Sequence, residues 1–174
     1  MKKRTQFVLA ILNLVAWLAM VGLSIKAGAI IISYAVSTQN PVAAKNLYMG
    51  MNLYSLRQFD FWQYTGLVGV MVAILILEVW VALLVTRALS KIKVTDPFTF
   101  EVSKILERIS YIILLIWVAA MFYDGYYKWL SKSVTVTHEN LASGDSLLLA
   151  GVVFVFAQIF KRGVELQSEN ELTV

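Results

Sequence analysis

The sequence predicts an all-α integral membrane four-helix bundle, with the N- and C-termini both on the cytoplasmic side (N-in/C-in). Three observations carry this expectation: an excess of apolar residues, four long apolar runs, and a lopsided distribution of Lys and Arg. Of the 174 residues, 59% are hydrophobic and 15% charged, whereas a soluble domain typically has about 45–50% and about 25%. With a mean hydropathy of +0.72, so small a chain has more apolar surface than one water-soluble core hides, and lipid is the place for the rest.

The first run extends from Phe7 to Ile25 and resumes beyond Lys26 towards Val36. Met1-Lys2-Lys3-Arg4 has the form of a signal-peptide start, and Ala27-Gly28-Ala29 that of a cleavage site. A signal peptide's apolar region, however, has about 7–15 residues. This one is longer, and apolar residues return at Ile30-Ile31-Ile32, so the segment reads as an uncleaved anchor. The second run, Tyr64 to Val85, meets unaided the ~20 residues that a crossing needs. The third, Ile109 to Tyr123, qualifies once its amphipathic flanks are added. The fourth, Leu147 to Phe160, is short and contains Gln158, and a buried soluble helix is its alternative. Lys161 and Arg162 end it abruptly and are able to snorkel to the headgroups. The spans fall at roughly 7–27 or longer, 64–87, 106–128 and 146–161, within a single transmembrane domain covering 1–174.

Orientation follows from the basic residues. The N-terminus, the 87–108 connection and the C-terminal tail hold ten: Lys2, Lys3, Arg4, Arg87, Lys91, Lys93, Lys104, Arg108, Lys161 and Arg162. The other two connections hold four: Lys45, Arg57, Lys128 and Lys132. The richer side faces the cytoplasm. The same clustering at the ends of apolar runs explains the formal charge of +4 without direct nucleic acid binding. In the external connections, Phe59, Phe61, Trp62 and Tyr64, and then Tyr123, Tyr126, Tyr127 and Trp129, read as interfacial aromatic belts. Val134 to Thr137 alternates as a short strand does. On the inner side, Asp96-Pro97-Phe98-Thr99-Phe100-Glu101 has the chemistry of a helix start, with Pro97 at a first helical position and Asp96 or Thr99 as the cap.

Polar groups within the spans are the candidate functional residues, because an ionisable side chain in lipid is costly. They are Lys26, Glu78, Asp124 and Gln158. Glu78 is the clearest. It is expected to be protonated or paired with a polar group on another helix, and it reads either as a proton or cation site or as a hydrogen-bonding group that fixes helix packing. Counting ~1.5 Å per residue from an inner boundary at Phe7, Arg87 and Arg108 puts Lys26 about 28 Å up, Asp124 about 24 Å and Glu78 about 13 Å. Those heights pair Lys26 with Asp124. Ser24-x-x-x-Gly28 and Ala29-x-x-x-Ser33 are spacings that permit close helix contact.

No catalytic constellation emerges, and the expectation is not an enzyme. There is no cysteine and one histidine, His138, which argues against a metal centre; no cofactor is implied. Tyr123-Asp124 and Ser143-Gly144-Asp145 echo intramembrane aspartyl proteases. Both lie towards the outer surface, and the second lacks the first glycine of that motif.

Several strings carry a family resemblance: Ile25-Lys26-Ala27-Gly28, Ala44-Lys45-Asn46-Leu47-Tyr48, Asp96-Pro97-Phe98-Thr99, and above all the ending from Phe160-Lys161-Arg162-Gly163-Val164-Glu165 to Val174. Together they resemble the bacterial membrane family catalogued as domain of unknown function 2975, over nearly the whole chain. The family more often has Asn where Asp96 stands, and either residue caps a helix. The resemblance implies a multi-pass protein of the bacterial cytoplasmic (inner) membrane with four helices and no assigned activity. It also implies a regulatory setting, because such proteins are often encoded beside a small helix-turn-helix regulator. The expected function is therefore regulatory or interactive: coupling the lipid bilayer to a cytoplasmic partner through Phe98, Phe100, Leu166 and Glu169, with self-association as a homo-oligomer left open. The alternative is a small transporter or channel subunit using Glu78.

Overall fold

The computed structural model describes residues 2–92, 99–132, 141 and 144–171. Among these, every long element is helical: α1 (Lys2–Gln39), α2 (Tyr54–Phe59), α3 (Phe61–Lys91), α4 (Phe100–Leu130) and α5 (Gly144–Glu171), with a 3-10 turn at Pro41–Lys45. Four of them, over Arg4–Gln39, Phe61–Lys91, Phe100–Leu130 and Gly144–Glu169, are long and apolar enough to cross a membrane. Their outward side chains confirm the assignment. Leu14, Trp17, Ile76, Trp80, Phe122, Leu148 and Phe156 are all exposed, and so much bare apolar surface belongs against lipid. The fold is thus all-α and integral to the membrane.

Local chemistry sets the helix ends. Asp60 caps α3, its Oδ1 accepting from the N–H groups of Trp62 (2.7 Å) and Gln63 (3.1 Å). Thr99 caps α4, its Oγ1 accepting from the N–H of Val102 at 3.3 Å; Asp96, Pro97 and Phe98 lie outside the described residues, as do Val134 to Thr137. Arg57 stabilises the end of α1, donating from Nε to the carbonyl of Ser37 (3.3 Å) and from Nη2 to that of Thr38 (3.4 Å), where the helix dipole favours a cation.

The chain divides into two compact units. The terminal unit comprises Met1–Met20, Trp80–Leu115 and Gly144–Val174, and the loop unit Val21–Val79 and Ile116–Ser143. The core of the loop unit is built on Ile30, Leu47, Leu56, Tyr64 and Leu67, each at least 99% buried, with Met71, Ile74, Leu75, Tyr123 and Tyr127 around them. The core of the terminal unit is built on Leu84, Ile109, Ile113 and Ala150, and Ser103 donates there to the carbonyl of Ala157 at 3.1 Å.

These cores correct two expectations. The aromatic belts split: Phe59, Trp62, Tyr126 and Trp129 are exposed, whereas Tyr64, Tyr123 and Tyr127 are buried. Proximity to an interface does not decide which way a ring points; the helical face does. At the small-residue spacing of Ser24 and Gly28, a Cβ added at Gly28 meets nothing within 4 Å, so among the described residues no neighbouring helix is packed against that glycine.

Candidate functional site

The site lies in the loop unit and begins with a short connection. After α1, Asn40 caps the 3-10 turn, its Oδ1 accepting from the N–H of Val42 at 3.1 Å. The chain then reverses through Tyr48–Met51. The N–H of Met51 reaches the carbonyl of Tyr48, the N–H of Leu47 that of Met51 (both 2.9 Å), and the N–H of Leu53 returns to Ala44. Met49 (φ 44°) and Gly50 (φ 89°) both have positive φ, as the two central residues of a type I′ turn do. Asn46 Oδ1 fixes the turn by accepting from the N–H of Gly50 at 2.9 Å. Glycine adopts this conformation freely; methionine does so at a cost.

This turn forms one wall of a cavity of about 380 Å³, whose other walls come from α1, α3 and α4. The polar lining is Lys26, Glu78, Tyr48 and Tyr123, and Met51, Met71, Ile74 and Leu75 supply apolar surface. The cavity reaches the surface at the turn, where Met49 is 87% exposed. Lys26 and Glu78 are each half-buried. Lys26 is the charged group whose field acts on Glu78, yet among the described residues no ion pair joins them. A lysine and a glutamate side chain therefore line one cavity without a direct ion pair between them.

The expected residues sort clearly around this geometry. Lys26 and Glu78 come together, whereas counting heights sets them apart. The count assumes that first apolar residues share one level, but α1 has 38 residues and is about 57 Å long, far longer than a ~30 Å hydrocarbon core. Its position in lipid cannot be read from Phe7. Asp124 is buried, and its Oδ1 accepts from the N–H of Leu141 at 3.1 Å; it anchors the chain after α4, and its neighbour Tyr123 lines the cavity. In the terminal unit, Gln158 is exposed and not in the core. Phe100 is exposed with Lys104 Nζ 4.6 Å from its ring centre. Leu166 and Glu169 are exposed on α5, while Phe98 lies outside the described residues. Lys91 pairs with Glu101 and Arg162 with Glu165. Tyr48, Met49, Met51 and Met71 are cavity residues that sequence reasoning missed. The signal available was Asn46 four residues before Gly50, a turn marker placed between aromatic and thioether side chains.

The model of the family described as Protein of unknown function (DUF2975) matches residues 38–174. The match includes Glu78 and the 46–51 turn and begins after Lys26. No curated protein and no solved structure matches the chain.

Proposed function

We propose, for a chain that belongs to the DUF2975 family, a regulatory role in the membrane: a small polar ligand enters the loop-unit cavity, and a cytoplasmic partner docks on the terminal unit. The observation that carries this reading is the Lys26–Glu78 cavity, whose two charges lack a mutual ion pair. Half-buried charges at a surface-connected cavity are costly unless matched, and a cavity of several hundred Å³ with few polar groups among apolar walls is the ordinary form of a small-ligand site. The partner surface is the end of α4 at Phe100 with the α5 tail at Leu166 and Glu169, and a helix-turn-helix regulator is the candidate partner. On the Lys and Arg asymmetry, the chain is N-in/C-in in a bacterial inner membrane, with the cavity mouth outside. The role is binding and signalling, without catalysis.

Transport is the second reading, favoured by the position of Glu78 within a span. Against it, α1, α3 and α4 run unbroken past Lys26, Glu78 and Tyr123, whereas transporter sites typically use interrupted helices. The deciding experiment compares a deletion of Ser168–Val174, Leu166→Ala and Phe100→Ala with Glu78→Leu. Proteins co-purifying with the detergent-solubilised chain should fall away for the first three variants, and in cells Glu78→Leu should alter the signal without altering partner recovery. Recovery and neighbouring-gene expression unchanged in all four variants would refute the regulatory reading. Loss of solute flux in Glu78→Leu proteoliposomes, with flux intact after tail deletion, would establish transport instead.

A further inference from the structure

The ligand chemistry of the cavity is more specific than "small and polar", and naming it rests on the ligand-site reading just given. Four features of the loop unit bear on it. The cavity presents one basic and one acidic side chain, Lys26 on α1 and Glu78 on α3. The two do not form an ion pair, so both remain open to a guest. Around them the wall is thioether and aliphatic, from Met51, Met71, Ile74 and Leu75, with the Tyr48 and Tyr123 rings beside them. Finally, the volume is about 380 Å³, near the lower end of the range for small-molecule sites.

From these features we infer that the cavity binds a zwitterion: an ammonium group seated on Glu78 and an anionic oxygen group seated on Lys26, joined by a short linker. A singly charged guest satisfies one of the two residues and leaves the other half-buried and unmatched, beside a guest charge of its own sign. A neutral guest satisfies neither fully. A zwitterion makes a charge-assisted hydrogen bond at each end, the stronger kind, and adds no net charge to an environment where net charge is costly. The apolar wall then receives the linker. Two sources supply this chemistry: the aminoethyl phosphate headgroup of a phosphatidylethanolamine, entering from the bilayer, and a free amino acid or aminoalkyl phosphodiester, entering past the Met49–Gly50 turn.

The full chain in nanodiscs of phosphatidylglycerol, which contain no zwitterionic lipid, provides the test. Glycerophosphoethanolamine, a phosphodiester with one negative and one positive charge, should raise the thermal midpoint saturably. Ethanolamine and dimethyl phosphate, its two charged halves, should each bind about tenfold or more weakly, the factor expected for losing one hydrogen bond to a charged group. This comparison uses only the wild-type chain and does not depend on any variant folding. Lys26→Gln should weaken glycerophosphoethanolamine by a similar factor without weakening ethanolamine; Glu78→Gln should weaken it without weakening dimethyl phosphate. The exchange Lys26→Glu with Glu78→Lys should recover binding, because a zwitterion can turn around. A response to soluble glycerophosphoethanolamine identifies a free zwitterion as the source. No response to it, but a Lys26- and Glu78-dependent gain in discs containing phosphatidylethanolamine, identifies the headgroup. Ethanolamine or dimethyl phosphate binding as tightly as the whole probe would overturn the zwitterion while leaving a ligand site. No response to any probe or lipid, or responses indifferent to both substitutions, would overturn the zwitterion and the ligand site together.

Discussion

The loop unit and the terminal unit share α1, α3 and α4 yet are held together differently. In the loop unit, polar groups are part of the core. The Ser37 hydroxyl lies 2.7 Å from the Tyr64 hydroxyl, with both residues fully buried, and Tyr34 donates to Thr65 Oγ1 at 3.0 Å. Arg57 bonds the last carbonyls of α1 and lies 4.4 Å from the centre of the Phe61 ring. In the terminal unit the apolar cluster is small and aliphatic, the buried Ser103 and Ser110 hydroxyls each donate to a helix carbonyl, those of Ala157 and Glu107, and residues 4–20 of α1 contribute no buried side chain. Lipid tails are as apolar as leucine, so apolar contact gives helices in a membrane little reason to prefer each other over the bilayer. Hydrogen bonds and close packing supply that preference. The loop unit has both in quantity, and a unit that must keep a cavity open needs such a rigid surround. The terminal unit leaves more of its helix surface to other molecules.

If that contrast is right, the largest effect of a single substitution should fall in the loop unit. Tyr64→Ala removes a fully buried ring, its hydrogen bond to Ser37 and its contact with Tyr34 at 5.7 Å, and should cost about 3–5 kcal/mol. Reversible unfolding in mixed micelles measures it. Leu84→Ala in the terminal unit should cost less; equality of the two would end the comparison. Next comes Arg57→Ala, which deletes both carbonyl contacts at the end of α1. One of those contacts is exposed, so the loss should be about 1–2 kcal/mol, towards the low end for a charged donor. Arg57→Lys should restore only part of it, since an ammonium lacks the planar fork.

How much of this was legible in the sequence follows the same division. The spans were legible because lipid imposes length and apolar composition on each helix independently of its neighbours, and even the weak run at Leu147 to Phe160 belongs to a helix long enough to cross. The cap at Thr99 was legible because capping is local. What was not legible depends on how helices rotate and slide against each other. Tyr64 and Trp62 are two residues apart and chemically suited to the same interface, yet one is fully buried and the other 79% exposed. Lys26 and Glu78 meet across a cavity because α1 overruns the bilayer thickness, which no count from its first apolar residue reveals. Gln158 reads as an interior polar group and lies outside the core, since its buried neighbour Ala157 occupies the inward position.

A smaller effect of opposite sign is expected at the cavity mouth. Met49 sits at φ 44° with its side chain exposed, so no packing compensates the left-handed conformation, which costs an L-residue about 1–2 kcal/mol. Met49→Gly removes that strain but makes the unfolded chain freer, and the net result should be a gain of about 0.5–1 kcal/mol. A loss of stability would mean that the Met49 side chain makes a stabilising contact at the rim. Strain of this kind persists where the surroundings over-determine the backbone, often at binding sites, so ligand affinity should be measured on the same variant.

The finest discrimination between the units comes from making one substitution twice. Ser37→Ala and Ser103→Ala each remove a single buried hydroxyl oxygen. In the loop unit, Ser37 Oγ donates to the Tyr34 carbonyl at 2.7 Å and also meets the Tyr64 hydroxyl. Without it, the Tyr64 oxygen stays fully buried and loses that partner, a penalty of about 1–3 kcal/mol. In the terminal unit, Ser103 Oγ donates to the Ala157 carbonyl, a group inside α5 that the helix's own ladder already engages. Removing the hydroxyl orphans nothing, and the loss should be near the ~0.6 kcal/mol average for hydrogen bonds between membrane helices. The two variants differ by no charge and almost no volume, so their difference in unfolding free energy isolates whether the partner left behind has an alternative. Equal losses would show that the loop unit is not distinguished by an interdependent polar core, and the case for a rigid surround to the Lys26–Glu78 cavity would fall with it.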